Sequence, residues 1–256
     1  MRRALTLLVA LAFTACASTT PPAAQPAAPM NPAPTSAPAA SPLAAAGAMP
    51  TALHWFRDSA ERRALSLQTY AAASARLESE VANLPRGSWA VILDADETVI
   101  DNSQYQRELW LAGKTGFDEA LWSDWVSRAA APPLAGASEF LDLVHRLGGK
   151  VAIVTNRSLP SCDATRTNFT KQDLPFDVML CKDKDGDKNP RFNAVAQGGT
   201  PLGPVKVILW VGDNIRDFPG LDQAARLDAG RLSEFGTRFF LLPNPMYGSW
   251  ESNPAE

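Results

Sequence analysis

Ala90-Val91-Ile92-Leu93-Asp94-Ala95-Asp96-Glu97-Thr98 is the stretch from which the fold of this 256-residue chain is read. Four apolar residues end abruptly in two carboxylates spaced i, i+2, then a hydroxyl. The run is continuously apolar rather than alternating, so it reads as a parallel strand buried on both faces. The acids then sit at its carboxyl end, where open α/β sheets hold their sites.

The same pattern repeats downstream. Lys150 to Val154 reads as a second buried strand, ending in Thr155-Asn156-Arg157. Val178 to Leu180 reads as a third, Val205 to Val211 as a fourth and Phe239 to Leu242 as a fifth. The fourth ends in Gly212-Asp213-Asn214-Ile215-Arg216-Asp217. Helical spacing fills the gaps, over about 138–147, 163–171 and 190–197, with Gly148-Gly149 closing the first. Alternating strands and helices predict an α/β fold, a Rossmann-like parallel sheet flanked by helices.

Two further segments fall outside the alternation. Residues 51–84 carry apolar residues at helical spacing and predict one or two long helices, with His54 read as structural. Residues 103–133 hold a Trp-rich helical stretch from Phe117 to Ala129, closed by Pro132-Pro133. Both are read as elements of a small helical cap. By spacing alone, Trp122 is either a core aromatic or a site residue.

The N-terminus is of another kind. Arg2 and Arg3 precede a short apolar run, Ala4 to Phe13, and then Thr14-Ala15-Cys16. That predicts a signal peptide over 1–15, too short to span a membrane as a helix. Small residues directly before a cysteine resemble the bacterial lipobox, in which Cys16 is lipidated and anchors the chain to a membrane. Ala17 follows it rather than aspartate, which favours an outer-membrane lipoprotein whose folded domain faces the periplasm or the cell surface. Residues 16–50 are rich in Ala, Pro, Ser and Thr and hold nine of the 21 prolines, so they read as a disordered tether. The folded domain is expected over 51–256. Cys162 and Cys181 are either a disulfide or two free thiols. A net charge of -3 and the lack of a basic stripe argue against a nucleic-acid polymer as partner.

Three strand ends supply the chemistry. Asp94, Asp96 and Asp213 at one sheet edge repel one another unless a cation sits between them. Oxygen ligands without His or Cys select a hard ion, and Mg²⁺ is the expected cofactor. Asp94, last on its strand, is placed to attack phosphorus as a nucleophile. Asp96, two residues on, is placed to protonate the leaving alcohol and then to activate water. Thr155 and Asn156 are placed to bind phosphoryl oxygens, and a lysine before the fourth strand to supply positive charge.

Asp94-x-Asp96-Glu97-Thr98, Val154-Thr155-Asn156-Arg157, a lysine, and Gly212-Asp213-Asn214-x-x-Asp217 resemble the four motifs of the haloacid dehalogenase superfamily. Within it, the chain is similar to the class C acid phosphatases, the lipoprotein e-type 5'-nucleotidases. Supporting stretches are Ser59 to Tyr70, Asp101-Asn102-Ser103, Phe117 to Trp125 and Leu242 to Trp250. The resemblance implies a haloacid dehalogenase-like fold with a helical cap, and hydrolysis of small phosphomonoesters such as nucleoside 5'-monophosphates. It implies Mg²⁺ held by Asp94, the backbone carbonyl of Asp96, Asp213 and Asp217. It implies Lys188 as the phosphate lysine, Trp122 and Tyr247 as aromatics that sandwich a substrate ring, and Asn102 in the same pocket. A homodimer is within what it allows. Two departures stand out: the loop from Cys181 to Lys188 is one residue longer than the family pattern, and Cys181 replaces a usual lysine. The alternatives to this enzyme are a non-enzymatic ligand-binding lipoprotein, for which Asp96 has no use, and a protein phosphatase, which the secretion signal disfavours.

Overall fold

The computed structural model describes residues 47–254. The expected signal peptide, Cys16 and nearly all of the tether lie outside the described residues. Five parallel strands form one sheet in the order β3-β2-β1-β4-β5. They are β1 (Trp89–Leu93), β2 (Lys150–Ser158), β3 (Val178–Lys182), β4 (Lys206–Gly212) and β5 (Phe239–Leu241).

Why the apolar run of β1 does not alternate is now visible. Val91 and Leu93 join one core with Tyr70, Leu77, Phe140, Val144 and Phe169. Ala90 and Ile92 join another with Phe192, Val195, Trp210 and Phe218. Successive side chains point to opposite faces, and both faces are covered, so every position of β1 must be apolar.

Seven α-helices lie among the described residues. α1 (Thr51–Asp58) and α2 (Ala60–Val81) meet at Ser59, whose hydroxyl caps α2 by accepting from the Arg62 amide at 3.1 Å. α2 buries Tyr70, Ala73, Leu77 and Val81 in the first core. It is therefore a layer of the sheet domain, and α1 packs on α3. α3 (Ser103–Leu111) was not apparent in the sequence. It is short, has no side-chain cap and buries only Ser103, Tyr105 and Leu109, so tertiary packing rather than local pattern makes it helical. α4 (Glu119–Arg128) is capped by Asp118, which accepts from the Leu121 amide at 3.1 Å. α5 (Ala137–Leu147), α6 (Cys162–Lys171) and α7 (Asn189–Ala196) complete the connections, with 3₁₀ turns elsewhere and Pro85-Arg86-Gly87 separating α2 from β1.

Among the described residues no helix is long and apolar enough to cross a membrane. β2 differs from expectation at its end. It runs past Val154 to Ser158, because pairing with β3 resumes at Ser158↔Lys182 after an irregularity. Thr155, Asn156 and Arg157 are thus held by a strand rather than a loose turn. Cys162 and Cys181 are a disulfide, with their Cα atoms 6.0 Å apart. It ties the start of α6 to β3, and closing a loop of this size contributes about 3 kcal/mol in the chain-entropy description.

Candidate active site

The chain leaves β1 for β2 and β3 on one side, then returns to β4 on the other. The crevice therefore opens between the carboxyl ends of β1 and β4, where the strand order reverses. The Asp94 amide donates to the Val211 carbonyl at 3.1 Å, which locks the two strand ends together. A cavity of about 1150 Å³ opens there, lined among others by Asp94, Asp96, Lys188, Asp213, Trp122 and Tyr247.

At its floor lie three carboxylates and a lysine. The Lys188 Nζ is 2.6 Å from Asp94 Oδ1 and 2.6 Å from Asp217 Oδ1. The lysine side chain is 3% exposed, so the charges meet almost out of water. The approach to Asp94 lies outside hydrogen-bonding geometry, and Asp94 Oδ1 is buried without a directed donor. Burial pulls the Lys188 ammonium down, but Asp217 and Asp94 outweigh it and hold the pKa above the usual lysine value. Burial also pushes the Asp94 carboxyl up to about 7, against the pull of Lys188 and with the push of Asp217 and Asp96. Asp213 is raised well above its ordinary value, first by burial and then by Asp217 and Asp94.

Local sequence explains how this crowd is reached. Gly212 ends β4, and a Cβ there would lie 2.3 Å from the Asp217 Cβ. Only glycine lets Asp217 fold back beneath the strand end. The turn Asn214–Asp217 is a capping box, in which the Asn214 amide donates to Asp217 Oδ2 at 2.8 Å. Asp213 is oriented by Thr98 Oγ1 at 3.2 Å and Asn244 Nδ2 at 2.8 Å.

One carboxylate oxygen each from Asp94, Asp213 and Asp217 lies within 4.8 Å of the others. These residues fit a divalent cation. The donor set is all oxygen, its negative charge exceeds what Lys188 neutralises, and Asp94 Oδ1 has an unfilled bonding direction. The Asp96 side chain is not part of that group. It turns toward Arg157 and Asn102, accepting from Arg157 Nε at 2.9 Å and Asn102 Nδ2 at 2.8 Å.

The remaining expected residues divide in two. Asn156, Trp122 and Tyr247 line the cavity. Asn156 is held by Arg191 Nη2 at 2.6 Å and donates to the Gly186 carbonyl at 3.0 Å. Trp122 packs edge-on to Tyr105 at 5.0 Å. The Tyr247 hydroxyl donates to Glu97 Oε2 in a short contact. Thr155 and Asn102 are buried and do not line the cavity. Thr155 Oγ1 accepts from the Arg157 amide at 3.1 Å, and Asn102 lies beneath the wall, bonded to Asp96. Sequence reasoning assigned no role to Glu97, Arg157 or Arg191. Glu97 sits at φ 51, a left-handed conformation costly for glutamate. Its carboxylate accepts from the Asn102 amide at 2.7 Å, and burial and Asp96 hold its pKa well above the ordinary value. A buried side chain at such a backbone angle was the available signal, and it exists only in three dimensions.

Residues 30–250 match the model of the family described as HAD superfamily, subfamily IIIB (Acid phosphatase). The chain belongs to this family. Two solved structures of the class C acid phosphatase from Bacillus anthracis are similar to this family member. One is 31% identical with a TM-score of 0.71, and covers 78% of this chain and 85% of that chain. The other, with tungstate bound, is 30% identical with a TM-score of 0.70 and the same coverage. Acid phosphatase 1 from Solanum lycopersicum is 28% identical over 164 residues, and a stem 28 kDa glycoprotein from Glycine max is 27% identical over 157. The chain spans 57% and 58% of the lengths of these two plant relatives. The five-stranded parallel sheet flanked by helices is the haloacid dehalogenase-like fold expected of such a chain.

Proposed function

We propose that this chain is a Mg²⁺-dependent acid phosphatase. It would hydrolyse nucleoside 5'-monophosphates and similar aromatic phosphomonoesters through an aspartyl-phosphate. The observation that carries the reading is the meeting of Asp94, Asp213, Asp217 and Lys188 on the floor of one cavity, with Asp96 beside them. Tungstate, like phosphate, is a tetrahedral oxyanion, so the tungstate-bound relative supports a phosphate-shaped subsite.

In this mechanism an Asp94 oxygen attacks phosphorus and the ester bond breaks. Asp96 gives its proton to the departing alkoxide. Water then attacks the aspartyl-phosphate, Asp96 takes the proton, and inorganic phosphate leaves. Lys188 neutralises the anion beside Asp94, and Asn156 is positioned by Arg191 to face the phosphoryl oxygens. Asp94, the Asp96 carbonyl, Asp213 and Asp217 would hold the cation, which supplies charge neutralisation of the phosphoryl group when bound.

Chelation tests the reading. EDTA-treated protein is expected to hydrolyse neither an aryl phosphate nor a nucleotide, and added Mg²⁺ to restore both; metal-independent turnover would overturn it. The aromatic wall is tested separately. Trp122→Ala is expected to raise KM for a nucleoside 5'-monophosphate about tenfold, the loss of a stacking contact worth roughly 1 kcal/mol or more. KM for a small aliphatic phosphate should barely move, and equal effects would remove Trp122 from ring recognition.

The N-terminal pattern supports an outer-membrane lipoprotein lipidated at Cys16, with its domain in the periplasm or at the cell surface. The Cys162–Cys181 disulfide agrees with an oxidising compartment. Cys16→Ser is expected to move the protein from the membrane fraction to the soluble one on cell fractionation. Unchanged membrane association would argue against the anchor.

A further inference from the structure

We infer that Arg157 and Asn102 are positioning residues that aim the Asp96 carboxylate and tie its aim to the seating of helix α4. The inference rests on the reading of Asp96 as the proton donor to the leaving group.

Asp96 reaches the cavity on a short side chain that would otherwise rotate freely. Its side-chain donors come from two residues. Arg157 gives Nε to Oδ1 at 2.9 Å and to Oδ2 at 3.2 Å, and Nη2 lies 2.8 Å from Oδ1. Asn102 gives Nδ2 to Oδ1 at 2.8 Å. The two anchors are also joined to each other, because Arg157 Nη2 donates to Asn102 Oδ1 at 2.9 Å.

Each anchor is gripped by a different tryptophan of α4. The Arg157 guanidinium carbon lies 5.1 Å from the centre of the Trp122 ring, within cation–π range. Trp125 Nε1 donates to Asn102 Oδ1 at 2.8 Å. Trp122 and Trp125 are three residues apart and so share a helix face. From the other side, Arg157 Nη1 donates to Thr165 Oγ1 of α6 at 3.2 Å. The Arg157 side chain is 1% exposed. Burying a guanidinium so fully is unfavourable unless its donors are spent, and here they are spent on Asp96, Asn102 and Thr165.

The arrangement has a consequence for the reaction. Trp122 faces the cavity on one side and Arg157 on the other. A group that stacks on Trp122 therefore presses on the helix that orients the proton donor. Proton donation depends on heavy-atom reach and angle, so loosening Asp96 should harm departure of poor leaving groups most.

The test compares kcat/KM for 4-nitrophenyl phosphate, whose leaving group departs as a stabilised phenoxide, with that for an alkyl phosphomonoester such as 2-glycerophosphate, whose alkoxide needs the proton. Because kcat/KM reports events up to leaving-group departure, slow hydrolysis of the intermediate does not mask the difference. Arg157→Lys keeps the charge but not the fork. It is expected to lower kcat/KM for the alkyl ester about tenfold more than for the aryl ester. Trp125→Phe keeps the ring and removes one donor to Asn102. It should show the same bias, about threefold, even if the arginine variant folds poorly. Equal losses on the two substrates in Trp125→Phe, with its thermal midpoint at the parent value, would overturn the inference. Asp96→Asn separates the two levels of the argument. If it discriminates against the alkyl ester while Arg157→Lys and Trp125→Phe do not, the positioning role fails alone. If it does not discriminate, the proton-donor reading fails and takes the inference with it.

Discussion

Asp94→Asn is expected to remove turnover of both a nucleotide and an aryl phosphate, by about 10⁴-fold or more, without unfolding the protein. An amide cannot form the acyl phosphate, so the loss should appear in kcat on every substrate whatever its leaving group. Stability should hold or rise in metal-free protein. Asp94 is half-buried on the cavity floor beside Asp217 and Asp96, and desolvation with that repulsion pushes its pKa up to about 7. A neutral side chain relieves that repulsion, and Lys188 keeps Asp217 as a partner at 2.6 Å. Steady-state assays and a thermal melt in EDTA check both halves. Retained turnover on either substrate would exclude Asp94 as the nucleophile, and a fall in the melting midpoint would contradict the electrostatic account.

Lys188→Met should do the opposite to stability. It keeps the volume but leaves Asp94 and Asp217 facing one another without the ammonium that lies 2.6 Å from each. Removing one partner from a buried ion pair costs roughly 3–5 kcal/mol. The loss should depend on pH and on metal. A carboxyl whose folded pKa exceeds its unfolded value favours the folded state at low pH and loses that contribution as pH rises through the folded pKa. In the parent, Asp94 rises from 3.8 to about 7, so metal-free protein should lose stability as pH climbs across that window. Without Lys188 the opposing pull on Asp94 is gone, and the penalty should steepen. Mg²⁺ should then raise the melting midpoint of Lys188→Met more than that of the parent, because the cation replaces a missing charge as well as filling its site. Denaturation at pH 5 and pH 8, with EDTA or with Mg²⁺, reads this directly. A pH-independent deficit, unaffected by Mg²⁺, would show that Lys188 matters for packing rather than for charge.

The fold was legible because burial on both sides of a parallel sheet leaves a mark in one dimension. β1, β2, β4 and β5 each appear as an apolar run, and the polar residues after β1 and β4 mark the crevice. Glycine and proline placed the breaks. What escaped was structure made by contact. α3 carries too little pattern of its own, and β2 continues to Ser158 only because β3 is beside it. α2 reads as an amphipathic helix of any kind, and only its packing assigns it to the sheet domain.

The site divides on the same line. Residue type and spacing marked Asp94, Asp96 and Asp213 as a cluster needing a cation, because like charges at successive strand ends must be neutralised wherever the strands lie. Which lysine meets them, and which way Asp96 turns, are matters of distance. Lys182, Lys184 and Lys188 are equivalent as letters in one loop, and Lys188 is the one buried against two carboxylates. Arg157 looks in sequence like a polar residue ending a strand, yet it lies buried beneath Trp122 with Asp96 in its grip. By itself the sequence determined the sheet, the strand ends and the acids upon them, since burial and charge repulsion act on residue type alone. Only the tertiary structure decided the partners of those acids, since a hydrogen bond or an ion pair is set by ångströms between residues far apart in the chain.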